Sequence, residues 1–458
     1  MNKRLSLKIS ISGVRGVVGD SLTPQLAARF AAAFGTYMGR GKVVVGRDAR
    51  PSGDMLMNSV LSGLLAAGCQ PVDIGICPIP SALVFTKESR ALGGIVVTAS
   101  HNPKEWNGLK FLSRRGLYLT AAEVEEFLDI YHQGEFSFAA ADKQRPILRE
   151  EDATGPHLAR LLSSLDVEAI RKKEFRVAAD CCNGAGAILL PAFLEALGCR
   201  AVFLNTTPDG TFAHQSEPVP ENLKELCRRV KEAGADVGFA QDADADRLAI
   251  IDESGQALGE EMTLALAVQY ILAKEPGPVV VNLSTTRAID DMAREAGVSV
   301  YRTKIGETNV GEEVIRRKAA IGGEGNGGVI WPRVHTCRDS FTAIGLILEA
   351  LATSARPVSA LARKVPHYVM IKDKVPGTPE EARRVLGRLK KAYAKEDVSM
   401  LDGLRINFGD AWVHIRPSNT EPIIRVLAEA RTEDETRRLL DEFKTKLGSN
   451  LLFCHKCR

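Results

Sequence analysis

The sequence predicts an α/β protein of three related α/β domains, followed by a smaller C-terminal α+β unit. Three observations carry that expectation. At 458 residues the chain exceeds what one hydrophobic core supports, so several domains are expected. One local design recurs three times, in "GKVVVGRDARPSG" (41–53), "FRVAADCCNGAGA" (175–187) and "PVVVNLSTTRAI" (278–289). Each runs a short apolar strand into a loop of small or polar residues and then into a helical pattern. After residue 363 the rhythm changes to short alternating strands around two amphipathic helices.

Taken in order, the first design continues into a helix over Met55–Ala67, by its 3.6-residue apolar spacing, and a strand in "GCQPVDIG". The third continues into a helix over Ala288–Ala296 and a strand in "GVSVYRTKIG". Strand, helix and strand at this spacing read as βαβ units, which build a mostly parallel sheet with helices packed on it. In the last part "HYVMIKDKV" alternates as a strand, and "TPEEARRVLGRLKKAYAKE" is an amphipathic helix with proline near its start. "GLRINFG", "AWVHIRPS" and "IIRVLAEA" follow as strands with close turns, and Thr432 with Glu435 forms a capping-box signature before the final helix. These patterns place boundaries near 148, 252 and 363, hence domains over 1–148, 149–252, 253–363 and 364–458.

Sixty Lys and Arg against 57 Asp and Glu leave a net charge of +3, too balanced for a nucleic-acid footprint. The basic runs "RRVK" (228–231) and "RRK" (316–318) fall on helical patterns and read as solvated faces. No apolar run approaches the roughly 18 residues of a membrane span. The start "MNKRLSLKISISG" shows neither an apolar signal core nor a cleavage site. Nine scattered cysteines, an odd count, do not form a secreted disulfide framework, so a cytoplasmic protein is expected. Cys454 and Cys457 have CxxC spacing, but no second pair completes a four-ligand zinc site.

Four stretches carry chemistry. In "GFAQDADADRLAIID", Asp242, Asp244 and Asp246 alternate with alanine between two apolar strands. Three carboxylates so close repel one another unless a cation neutralises them, and oxygen-only ligands suit Mg²⁺. An EF-hand loop is excluded because Arg247 stands where its glycine belongs. That arginine can instead hold a phosphate beside the metal. In "TASHNPKEWNGLK" (98–110), Ser100 lacks the GxSxG elbow of a hydrolase. In an extended segment its neighbour His101 would point to the opposite face. Ser100 is therefore either a turn residue or a phosphoryl carrier that borrows charge from the aspartates. "RPSNTEPIIR" (416–425) brackets hydroxyl and amide donors with two arginines, a mixture suited to phosphate. "GGEGNGGVIWP" (322–332) sets Glu324 and Asn326 among glycines, where an acid and an amide can meet sugar hydroxyls.

With these stretches in their order, "SGVRG", "TASHNP", "DADADR", "GEGNGG" and "RPSNTEP", the whole chain resembles the α-D-phosphohexomutase family. The resemblance implies an isomerase that exchanges phosphate between the 1- and 6-positions of a hexose or hexosamine. It implies mixed sheets in the three α/β domains and four domains around a central cleft. Position by position, Ser100 is similar to the family's phosphoserine, with Mg²⁺ between its phosphate and Asp242, Asp244 and Asp246. Arg15 and Arg247 match arginines near the transferring phosphate, and Lys110 and His101 match the proton-transfer candidates. Lys304, Glu324 and Asn326 match sugar-recognition positions. Arg416, Ser418, Asn419, Thr420 and Arg425 match the clamp for the resting phosphate. The implied partners are a sugar phosphate and a sugar bisphosphate, without nucleic acid or membrane; no oligomeric state is implied. Asn326 and Gly328 stand where many relatives have serine and histidine. That loop is closest in style to the archaeal-type phosphoglucosamine mutase branch, with phosphomannomutase or phosphoglucomutase activity as the alternative. Two remoter readings are an aspartyl-phosphate phosphatase using Asp242 and a non-catalytic phosphosugar-binding protein.

Overall fold

The computed structural model describes residues 7–11, 13–418 and 422–455, with side chains to 448. The chain divides into two compact units, one running to Tyr270 and including Asn326–Ala362, the other Ile271–Gly325 with everything from Arg363.

The first unit opens with strands β1 (Lys8–Ser10), β2 (Gly13–Val17), β3 (Lys42–Arg47), β4 (Gln70–Ile76), β5 (Gly93–Val97), β6 (Trp106–Ser113) and β7 (Leu148–Arg149). They form one sheet in the order β1-β2-β6-β5-β3-β4-β7. β3, β4, β5 and β7 are parallel, but β6 runs antiparallel between β5 and β2. The sheet is therefore mixed, which corrects the mostly parallel reading of the βαβ pattern. Loop 98–105, between β5 and β6, is too short for a crossover helix, so the chain can return only antiparallel. Val43 and Val45 pack into the core on one face of β3, and Val44 into the core on the other. A strand buried on both faces reads as the continuous apolar run seen here. Helices Pro24–Met38, Gly53–Ala66 and Ala121–Gln133 cover the first face, where Phe30 stacks on Tyr131 at 3.9 Å.

The second sheet, also in this unit, joins β8 (Arg176–Asp180), β9 (Arg200–Leu204), β10 (Val237–Gln241) and β11 (Leu248–Ile251) in the order β11-β10-β8-β9. β10 is parallel to β8 and antiparallel to β11, again because only the short loop 242–247 connects the hairpin.

In the second unit β12 (Val279–Asn282) lies between β13 (Val300–Thr303) and β14 (Ile321–Glu324), all parallel, as the βαβ pattern predicts. β15 (Gly328–Ile330) belongs to the first unit's segment. β16 (Val369–Pro376), β17 (Asp397–Ser399), β18 (Leu404–Phe408), β19 (Ala411–Pro417) and β20 (Ile423–Ala430) form an antiparallel sheet ordered β16-β20-β19-β18-β17. β17 is the one strand of this sheet that the alternation did not reveal. Helices Pro379–Ala392 and Glu433–His455 pack on it. Glu435 N–H donates to Thr432 Oγ1 at 3.3 Å, the contact expected of the capping signature.

Among the described residues, no helix is long and apolar enough to cross a membrane. Seven cysteines, from Cys69 to Cys337, are free thiols. The side chain of Cys454 and the whole of Cys457 lie outside the described residues.

Candidate active site

β5 is buried along its length, and Thr98, Ala99 and Ser100 after it stay buried. Ser100 adopts φ +53°, the left-handed region that most side chains avoid. This turn corrects the extended geometry assumed from the sequence. His101 Nδ1 lies 3.3 Å from Ser100 Oγ instead of pointing to the opposite face. The antiparallel return of β6 sets Lys110 opposite Val96, and β2 sets Arg15 opposite Gly108. A Cβ at Gly108 would fall 2.8 Å from Thr98 O and 3.0 Å from Arg15 Cγ, so glycine permits the close approach of these segments. Arg15 Nη1 donates to Asn102 Oδ1 at 3.2 Å.

The hairpin loop 242–247 is buried throughout. Asp242 Oδ1 accepts the N–H groups of Asp246 (3.1 Å) and Arg247 (3.3 Å), which fixes the loop. Its Oδ2 lies 3.4 Å from Ser100 Oγ. Asp244 Oδ2 accepts from Lys110 Nζ at 2.8 Å, and Asp246 Oδ2 accepts from Arg338 Nη2 at 2.6 Å. The other oxygens, Asp244 Oδ1 and Asp246 Oδ1, are buried without a hydrogen-bond partner. Oxygens of all three carboxylates lie within 4.8 Å of one another. Buried acceptors left unpaired are costly, and a hard divalent ion takes oxygen ligands of this kind. These residues fit Mg²⁺.

Burial, then the charges of Asp246 and Asp244, pushes the Asp242 carboxyl well above the usual carboxylate range. Burial also acts on Asp246, but Arg338, Lys110 and Arg247 outweigh it and hold that carboxyl below its ordinary value. Arg247, then burial, then Arg15 keep the His101 ring well below the usual imidazole range, so it is neutral at neutral pH. Arg247 Nη1 lies 3.5 Å from Glu217 Oε1. The first unit thus gathers Arg15, Ser100, His101, Lys110, the three aspartates and Arg247.

The second unit holds the remaining candidates, apart from Asn326. Glu324 is buried, and its Oε1 accepts from Asn282 Nδ2 (2.8 Å) and the Gly306 N–H (2.9 Å). Lys304 is exposed at the end of β13. Arg416 pairs across the sheet with Arg425, and Ser418 N–H donates to Ile423 O at 2.9 Å, closing the loop between β19 and β20. Arg416 Nε is buried without a partner. Asn419 and Thr420 lie outside the described residues. Asn326 falls in the first unit's segment, its Oδ1 buried and unpartnered.

Three basic residues escaped the sequence reading. Arg50 grips the serine loop and Arg338 grips Asp246; neither sits in a motif that names its distant partner. A Cβ at Gly328 would lie 2.3 Å from Arg338 Cδ, so the glycine at the start of β15 leaves room for that arginine. Lys374 stands opposite Arg425, which only the register reveals.

Profiles described as phosphoglucomutase/phosphomannomutase alpha/beta/alpha domains I, II and III match residues 7–138, 156–255 and 259–368, and the C-terminal domain matches 370–446. The chain belongs to the phosphoglucomutase/phosphomannomutase family, isomerases that move phosphate within a sugar phosphate. It is 40% identical over 456 residues to a phosphoglucomutase/phosphomannomutase of Thermococcus kodakarensis, covering 96% of this chain and 97% of that protein. It is 39% identical over 441 residues to a "Probable phosphoglucosamine mutase" of Methanopyrus kandleri, covering 94% and 96%. A crystal structure of a phosphoglucomutase/phosphomannomutase family protein from Burkholderia thailandensis superposes with TM-score 0.84 at 27% identity, covering 97% of this chain and 98% of that one. Family membership sets aside the phosphatase and non-catalytic readings.

Proposed function

We propose that this chain interconverts the 1- and 6-phosphates of glucosamine through phospho-Ser100 and a bisphosphorylated intermediate. The observation that carries the reading is the approach of Ser100 Oγ to Asp242, on a loop far away in sequence, with the ring of its neighbour His101 beside it. The hydroxyl oxygen of the bound sugar phosphate attacks the phosphorus on Ser100, the Oγ–P bond breaks, and a sugar bisphosphate forms. Net, one proton moves from that hydroxyl to Ser100 Oγ. Lys110 serves the sugar end of this route and the neutral His101 the serine end. Arg15 and Arg247 meet the phosphoryl oxygens. Mg²⁺ held by Asp242, Asp244, Asp246 and the Ser100 phosphate would neutralise the charge spread over those oxygens. The bisphosphate then turns end for end while Arg416, Ser418, Asn419, Thr420 and Arg425 exchange one phosphate for the other, and Ser100 takes the second phosphate back. Lys304, Glu324 and Asn326 hold the sugar. We assign these roles to four domains divided near 148, 252 and 363, in a cytoplasmic enzyme.

The sugar is the finer part of the reading. The two relatives above carry different sugar names at nearly equal identity, so overall similarity does not choose between them. Asn326 and Gly328, which replace the serine and histidine of many relatives, favour glucosamine; the name of the Thermococcus kodakarensis relative favours glucose or mannose. Intact-mass analysis should show one phosphate on a fraction of the purified protein, lost in Ser100→Ala together with turnover. Rates for glucosamine, glucose and mannose 1-phosphates, each primed with its own bisphosphate, should be highest for glucosamine. A Ser100→Ala variant that still turned over would overturn the carrier role, and a faster glucose or mannose reaction would overturn the sugar.

A further inference from the structure

Arg50 is completely buried, yet every N–H of its guanidinium has an acceptor. Nε donates to Asp48 Oδ2 at 3.0 Å. Nη1 donates to the carbonyls of Pro103 (2.6 Å) and Trp106 (3.0 Å), and Nη2 to those of Ser100 and Asn102 (both 2.6 Å). Four of the five bonds therefore end on the backbone that carries Ser100 or directly follows it. Asp48 holds the other side of the same residue. Its Oδ2 accepts from Thr98 Oγ1 at 2.6 Å, and Thr98 Oγ1 accepts the Ser100 N–H at 2.9 Å. One buried ion pair thus fixes both the amide hydrogen and the carbonyl oxygen of Ser100.

A left-handed serine costs about 1–2 kcal/mol and persists only where its surroundings over-determine it. The Asp48–Arg50 pair supplies that determination. The guanidinium is itself held from above: Phe212 lies 5.0 Å from Arg50 Cζ, ring against cation. Gly210, at φ +67°, brings the Phe212 loop so near that a Cβ would fall 2.3 Å from Ala49 O.

We propose that Arg50 is the positioning residue of the phosphoryl carrier: it sets the turn that aims Ser100 Oγ at Asp242 and His101. This inference rests on the carrier role of Ser100. A lysine cannot replace the arginine, because a compact ammonium with three donors does not span four carbonyls in one plane.

The test compares the full-length parent with Arg50→Lys, Arg50→Ala, Gly210→Ala and Ser100→Ala, all under primed, Mg²⁺-replete conditions. Folding is followed by circular dichroism and thermal melting, with kcat, KM and the rate of Ser100 rephosphorylation by bisphosphate as readouts. Arg50→Lys should stay folded and keep the parent's KM, while kcat and rephosphorylation both fall about 10²-fold, the scale of an ångström misplacement of a reacting group. Guanidinium ion below denaturing concentration should restore part of the kcat of Arg50→Ala and none of that of Arg50→Lys. Gly210→Ala, which touches neither substrate nor phosphate, should lower kcat without raising KM. Parent-like kcat in Arg50→Lys would overturn the inference. So would Arg50 variants that fail to fold alongside a fully active Gly210→Ala. If Ser100→Ala is dead and Arg50→Lys is normal, only this inference falls; if Ser100→Ala is active, the carrier role falls with it.

Discussion

His414 shows how a buried residue ties stability to pH. Its Nε2–H donates to Asp402 O at 2.6 Å, and its Nδ1 lies 2.9 Å from Ser284 Oγ. Burial, reinforced by the Arg405 charge, pushes its pKa down to about 4. In the unfolded chain the same ring titrates near 6.5. Between about pH 6.5 and pH 4 the unfolded state therefore binds a proton that the native state refuses. Stability from this group is present above 6.5 and is lost as pH falls through that window, by up to about 3 kcal/mol. Urea unfolding of His414→Gln across the window should be less pH-dependent than that of the parent; equal slopes would contradict the buried neutral ring. At this scale the sequence was informative where chemistry is local. Ser100, the aspartates and the bracketing arginines stand out by type and spacing. Arg50 and Arg338 do not, because their meaning lies in partners 50 and 92 residues away.

At the scale of elements, apolar runs and caps revealed most strands and helices, while strand direction followed from loop length. The βαβ pattern holds for β12, β13 and β14 and fails at β6 and β11, where only short loops precede the strands. Register was illegible, and it matters for charge. Lys374 of β16, Arg425 of β20 and Arg416 of β19 stand directly opposite one another across three neighbouring strands. Residues so paired share one face, and like charges directly opposite there are destabilising. A phosphate bound there, as proposed for Arg416 and Arg425, would relieve that repulsion. Lys374→Gln should therefore melt slightly higher than the parent without ligand and show a raised KM for sugar phosphate with kcat unchanged. The KM difference should shrink as salt screens the exposed lysine. An unchanged KM at low salt would show that Lys374 meets no phosphate of the substrate.

For the whole molecule the near-neutral balance of charge conceals a concentrated electrostatic cost at Asp242, buried beside the charges of Asp244 and Asp246 in loop 242–247. Replacing Asp242 by asparagine removes that ionisable group while keeping an oxygen able to accept from the Asp246 and Arg247 N–H groups. In chelator the variant should melt no lower than the parent, because the repulsion and burial that raise the Asp242 carboxyl are gone. Added Mg²⁺ should separate the two proteins. An ion that binds only the folded state stabilises it by about 2.7 kcal/mol at one hundred times its Kd. The parent's melting temperature should climb with Mg²⁺ on that schedule, while Asp242→Asn stays flat over the same range. Calorimetric titration, independent of turnover, should show heat of binding for the parent alone. Equal thermal shifts in both proteins would mean that Mg²⁺ stabilises the fold from somewhere other than this loop.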